Sequence, residues 1–239
     1  PPLQYWRAND APDREGITEI KHIEGLLGYW DELRKRHPML RIDICSGGGS
    51  RNELETLRRA VPLWRSDYAY ETTGMQTLTY GMSLWIPYFG TGVNTSDPYT
   101  FRSQMAPANS VIWDVRRRDL DYDTCRLMLA QRRRVCDYYY GDFYPLTAHR
   151  TENDVWMVWQ FDKPQAGEGM VQAFRRPNSA VTSMQCRLRG LDTQARYAIE
   201  NLDRAEKVEM TGAELATTGL MITLTQRRSA AIIVYRRVE

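Results

Sequence analysis

The chain has little that would tie it to a metal, a membrane or a polyanion. Its 239 residues include four cysteines and three histidines. Cys45, Cys125, Cys136 and Cys186 form no Cys-x-x-Cys pair, and no histidine stands at ligand spacing from them. That argues against a structural zinc site, and no metal or other cofactor is expected. Four cysteines in a chain this long do not make a disulfide framework, so a reducing, cytoplasmic compartment is expected. No apolar run approaches the roughly 18 residues of a membrane span, and no signal-peptide pattern is visible. Net charge is only +2, from 32 basic and 30 acidic residues. There is no overall basic footprint for nucleic acid. One run, DVRRRDLDYDTCRLMLAQRRRVCDYYY, is basic and aromatic, but its interleaved acids give it the look of a solvated helix face. The first residue is Pro1 rather than methionine, so a processed chain or a piece of a longer one is expected.

What remains is a globular composition, with 42% apolar and 26% charged residues. The chain is long enough for one large domain or two ordinary ones. Residues 1–150 alternate between two periods. Ile17, Ile20, Ile23, Leu26, Leu27, Trp30 and Leu33 recur at helical spacing, with Gly16 before them and Pro38 after. MLRIDIC is a short apolar run before glycines, as in a buried parallel strand. SRNELETLRRA reads as a helix with Ser50 and Glu53 in a capping box. VPLWRSD reads as the next strand, TGMQTLTYGMSLW as the next helix, YTFRSQMAP as loop or short helix, and the basic run as a long last helix. This alternation predicts a parallel sheet covered by helices. Residues 151–239 read differently. DVWMVWQFD, EGMVQAFRRP, SMQCRLRGL, ARYAIENLD, KVEMTG, LMITLTQ and SAAIIVYRRV are short strands with turn residues between them, as in a β-sandwich. The boundary is expected near residues 148–153, with no flexible linker.

The densest local pattern runs from Ile42 to Tyr68, IDICSGGGSRNELETLRRAVPLWRSDY. Cys45 and Gly47 to Gly49 stand at the end of one expected strand, and Asp67 at the end of the next. In α/β barrels functional groups sit at the C-terminal ends of strands. Glycines there let backbone amides approach a ligand closely. On the residues alone, Asp67 also reads as a helix N-cap, the glycines as an ordinary turn and Cys45 as core filling. Asp43 shares the face of Cys45. Asp10 and Asp13 are further carboxylates near the same rim.

The motifs together resemble the catalytic barrel of family 36 glycoside hydrolases, the α-galactosidases and raffinose-type enzymes. CSGGG with Arg51 is similar to that family's cysteine and triple-glycine motif, and WRSD to its Trp-x-Ser-Asp motif. PLQYWRANDAPDREGITE resembles the segment after the nucleophile strand, and the β-rich tail resembles the family's C-terminal antiparallel domain. The resemblance implies a half-barrel of about four βα units of the TIM type, followed by an all-β antiparallel sandwich. It implies α-galactosidase-type hydrolysis with Asp67 as general acid/base. Cys45, Gly47, Gly48, Arg51, Trp64, Arg65 and Trp6 would bind substrate. Tyr68, Tyr70 and Trp85 are further aromatic platforms. Tyr68 to Tyr70 and GTGVN depart from the family's pattern, which leaves room for a different sugar. The nucleophile would lie on a strand before Pro1. An open half-barrel has unpaired edges and an apolar inner face. Pairing is therefore expected, with a second copy of the chain or with the missing N-terminal half. A non-catalytic carbohydrate- or partner-binding half-barrel is the alternative.

Overall fold

The computed structural model describes residues 3–45, 47–68 and 71–238. The chain begins with helices α1 (Leu3–Asn9) and α2 (Ile17–Arg36). The α2 stripe packs Leu26, Leu27 and Trp30 against Ile42, Ile44, Leu57 and Ala60. The helix stops at His37, at φ −130° and ψ 77°. The residue before a proline is pushed out of the helical region, and Pro38 follows.

Helix α3 (Leu54–Leu57) is shorter than expected and its cap is different. The Glu53 carboxylate accepts the Glu55 and Thr56 N–H groups at 2.7 and 2.8 Å. Ser50 donates instead to the Gly47 carbonyl at 3.0 Å. The glycine turn therefore claims the serine, and the acid takes its place. Helices α4 (Thr72–Ser83), α5 (Pro98–Ser103) and α6 (Tyr122–Val135) start on Glu71, Asp97 and Asp121, whose carboxylates accept N–H groups of the first turn. A 3₁₀ turn, Cys136–Tyr140, extends α6.

Four segments between these helices lie side by side. The Ile44 N–H donates to Val61 O at 3.0 Å, and the Val61 N–H to Ile42 O at 2.9 Å. The Gly90 N–H donates to Pro62 O, and the Arg65 N–H to Gly90 O. Strands β1 (Gly90–Val93) and β2 (Ala108–Val111) then pair in parallel. The first two segments were expected as full strands but make one bridge, Asp43 to Val61. Pro62 explains much of this, since it has no N–H to give the ladder. The α/β expectation holds in its coarser form: a small α/β region precedes an antiparallel β domain.

That domain is built on strands β3 (Asp142–Pro145), β4 (Trp156–Lys163), β5 (Glu168–Arg175), β6 (Ser183–Cys186), β7 (Arg196–Asn201) and β8 (Lys207–Thr211). Helix α7 (Gly212–Thr217) and strands β9 (Leu220–Thr223) and β10 (Ser229–Val238) complete it. Six strands form one sheet in the order β3-β4-β5-β10-β7-β8, and β6 pairs with β9 in a small second sheet. Met157, Trp159, Phe161, Met170, Phe174, Ile232 and Val234 face the helical side, against Tyr80, Phe101, Met128 and Tyr139. Their neighbours Val158, Val171, Ala173, Ile233 and Tyr235 face β6, β9 and Leu215 of α7. Both faces are covered, so β4 and β5 are buried along nearly their whole length.

Charge pairs tie the layers together at the rim. Arg134 on α6 donates to both Glu200 carboxylate oxygens at 2.6 and 2.7 Å, and Lys207 adds a contact at 3.1 Å. The hydrogen bond from Arg134 is the main cause that holds the Glu200 carboxyl at about 2, below its ordinary 4.5. A depressed carboxylate adds stability above its unfolded value and loses it as pH falls through its folded one. Unfolding free energy measured by urea titration should therefore drop between pH 4.5 and about 2 through this group. Glu200→Gln should flatten that part of the profile; an unchanged acid slope would remove Glu200 as its source.

Candidate functional site

The site is built where the first two parallel segments end. Gly47, Gly48 and Gly49 have φ of 51°, 73° and 103°, all in the left-handed region open to glycine. A side chain at Gly48 would also press on the site: its Cβ would stand 3.1 Å from Asp67 Oδ2, which would have to give by a few tenths of an ångström. At Gly49 it would stand 3.1 Å from the Arg65 carbonyl oxygen. The turn is thus folded tightly onto the WRSD segment. Asn52 Nδ2 donates to the Arg65 carbonyl at 2.8 Å and ties the far side of the turn to the same strand.

Asp67 is held from its own strand by Trp64, whose indole Nε1–H donates to Asp67 Oδ1 at 3.1 Å. The Trp64 ring lies over Gly92 of β1, where a Cβ would come within 2.6 Å of the ring. Gly92 is therefore the floor under the tryptophan, and the tryptophan sets one carboxylate oxygen. Ser66 accepts the Tyr68 N–H at 3.1 Å, which fixes the chain just past Asp67. The Asp67 side chain is exposed, as are Cys45 and Arg51 at the two ends of the glycine turn.

The structure brings Gly48, Trp64 and Asp67 into direct contact, with Gly47 in the same turn and Cys45 and Arg51 at its ends. It does not bring Arg65 there. Arg65 is 1% exposed and points the other way, donating to Thr79 Oγ1 and the Met75 carbonyl, over the Phe89 ring. Successive residues of an extended segment face opposite sides, so Trp64 and Arg65 do not share the site. Trp6, expected to bind substrate, lies in helix α1, with its ring 6.1 Å from that of His22 on α2. Tyr68 lies over Gly74 and Trp85 is half exposed after α4. Tyr70 lies outside the described residues.

Of the other carboxylates, Asp13 is exposed, and Asp43 and Asp10 have structural partners. Asp43 is exposed, and its Oδ1 accepts the Leu63 N–H at 3.2 Å. Asp10 accepts the Thr18 hydroxyl and the N–H groups of Gly16 and Thr18, and these bonds hold its carboxyl below the usual range, with Thr18 the largest cause. Asp67 is not an N-cap, because Glu71 caps α4. Among the described residues no group of three or more His, Cys, Asp or Glu side chains could hold a metal ion. No helix there is long and apolar enough to cross a membrane. Asn52 and Gly92 are site-forming residues that sequence reasoning missed; a strand glycine as a mark of close approach was the available signal for Gly92.

One exposed, oriented carboxylate beside an indole donor and a backbone-rich turn suits proton transfer to a hydroxylated ligand. Residues 153–235 match the model of the glycosyl hydrolase family 36 C-terminal domain. The chain is 26% identical over 209 residues to α-galactosidase AgaA of Geobacillus stearothermophilus, covering 80% of this chain and 28% of that protein. It is also 26% identical over 223 residues to α-galactosidase 1 of Pediococcus pentosaceus, covering 87% and 30%. The structure of a variant of AgaA in complex with stachyose superposes with a TM-score of 0.80, at 22% identity, over 96% of this chain and 33% of that one. The chain is thus a relative of the family 36 glycoside hydrolases and corresponds to their C-terminal part. It spans under a third of the length of these curated relatives.

The contact between Gly48 and Asp67 gives a direct test. Gly48→Ala should cost about 1–2 kcal/mol in urea denaturation, from the left-handed backbone alone. It should also displace the carboxylate. A stability equal to that of the parent chain would show that the turn is free to relax.

Proposed function

We propose that this chain supplies the general acid/base half of an α-galactosidase-type glycoside hydrolase site, with Asp67 as the proton-transferring carboxylate. The observation that carries the reading is the position of Asp67, set by the Trp64 indole on one oxygen and by the bare Cα of Gly48 against the other. Residues 1–150 are read as a partial barrel of four βα units and 151–239 as the β-sandwich domain. Cys45, Gly47, Gly48, Arg51 and Trp64 line the sugar's approach. Arg65 is a structural member of the α/β core, and Trp6 would act only if a partner brought it to the cleft.

A retaining glycosidase uses two carboxyl groups about 5–5.5 Å apart. One attacks the anomeric carbon while the other protonates the leaving oxygen, and the second then takes a proton from water. Trp64 is the hydrogen-bond partner that orients the Asp67 side chain. In this reading the nucleophile is supplied by a second half-barrel paired along the open parallel edge or by a second copy. Free thiols at Cys45, Cys125, Cys136 and Cys186 support a cytoplasmic setting.

The exposure of Asp67 also supports a second reading, a carbohydrate-binding half that does no chemistry by itself. Hydrolysis of a panel of aryl glycosides, with Asp67→Asn in parallel, separates the two. The first reading expects cleavage of aryl α-galactosides by the assembled site, and a fall of about 10²–10⁴-fold in kcat in the variant. Equal rates for both proteins would remove Asp67 as the acid/base. Galactose binding without cleavage would select the second reading.

A further inference from the structure

A cavity of about 500 Å³ that shares no lining residue with the glycine turn or Asp67 lies where α5 and α6 meet the connection between β9 and β10. That volume is in the range of small-molecule sites. Arg102, Arg204 and Arg228 line it, together with Asp97 and Asp203. The charges are not balanced. Arg102, 4% exposed, pairs with Asp203, and Arg228 pairs with Asp97 at 3.2 Å. Among the described residues Arg204 makes no ion pair, and it spends one N–H on the Thr223 carbonyl. The cavity therefore carries one net positive charge.

Two further features mark this place. Arg228 is the one non-glycine with positive φ among the described residues, at 55°. A left-handed backbone at a long side chain is a strain that folds keep where surrounding structure, or function, requires it. Here it sends the guanidinium over the Tyr99 ring, 5.6 Å from its centroid, and along the cavity wall. It donates one N–H to Asp97 and leaves the rest of its fork open. Arg102, which also lines the cavity, has its Nε buried without a hydrogen-bond partner. Such an orphaned donor on a charged group is costly.

We propose that this cavity binds a small oxyanion on a hydroxylated body, a sugar-phosphate-like ligand. Arg204 and Arg228 hold the anionic end. Guanidinium forks match phosphate and carboxylate oxygens in a bidentate way that an ammonium does not. Thr223, Thr225 and Ser229 line the part of the cavity that would take the hydroxylated body. The site is independent of Asp67, so it stands or falls separately from the glycosidase reading.

Calorimetric titration of the 239-residue chain with glucose 6-phosphate, inorganic phosphate and glucose tests this. Glucose 6-phosphate should bind at least about tenfold more tightly than glucose, a difference of about 1.4 kcal/mol, and weaken as salt rises. Binding of inorganic phosphate as well would mean that the anion alone is read; its failure to bind would mean that the sugar body is needed. Both support the site. Arg204→Gln should weaken binding by a similar factor. Arg228→Gly should abolish it while thermal unfolding shows a retained fold, because glycine accepts the left-handed backbone. Equal affinity for glucose and its phosphate, no binding of either phosphate, or affinities unchanged in both variants would overturn the proposal.

Discussion

The burial of the six-stranded sheet on both faces is the constraint from which the rest of the molecule follows. One face of β4, β5 and β10 carries Trp159, Phe161, Phe174 and Ile232, all essentially sealed from water. The side chains that seal them come from α4, α5, α6 and the 3₁₀ turn. The α/β region is therefore not an independent body resting on a β domain. Its helices are the missing layer of that domain's core. Burial of this kind is worth roughly 25 cal/mol for each Å² of apolar area removed from water. Buried arginines extend the connection. Arg102 reaches from α5 to the Ala230 carbonyl, and Arg176 at the end of β5 reaches Gln76 on α4.

Anchored in that way, α4 positions what precedes it. Arg65 inserts its guanidinium against Met75 and Thr79 of α4 and over Phe89. With Arg65 fixed on the helix side, Trp64 is forced to the opposite face, over Gly92. With Trp64 fixed there, its indole N–H selects one oxygen of Asp67. The chain of cause runs from the sheet core through one buried arginine to one exposed carboxylate. The expectation that Arg65 contacts the ligand hides this, since its guanidinium is spent on α4 and its position orients its neighbour.

Much of this was legible in the sequence. The strands of residues 156–238 announced themselves as short apolar runs between turn residues, and the α2 stripe as a helical repeat. The glycine turn and Asp67 were also visible, because three consecutive glycines have few other uses. What was lost has physical reasons. Pro62 interrupts the ladder in a run that otherwise reads as a strand. Ser50 and Glu53 have the spacing of a capping box, but the turn geometry at Gly47 captures the serine hydroxyl. A motif such as WRSD gives residue identities without saying which alternate residues face inward. The β3 strand is short and lies in an aromatic run that continues from a helix, so its period never becomes readable.

In the proposed reading, the open parallel edge and the exposed acid are one feature. An acid/base must hold its proton at working pH, and burial or a neighbouring carboxylate is what raises a carboxyl's pKa. Asp67 in this chain is exposed and has the hydrogen bond that orients it; burial and a neighbouring carboxylate are what a partner would add. Both would arrive together, since a second half-barrel covering the face of Trp64, Gly92 and Ile112 would exclude water and bring a second carboxylate. Orientation is written into this chain; enclosure is left to the partner. In that reading activity depends on assembly, because the partner closes the site around the acid and supplies the second carboxylate.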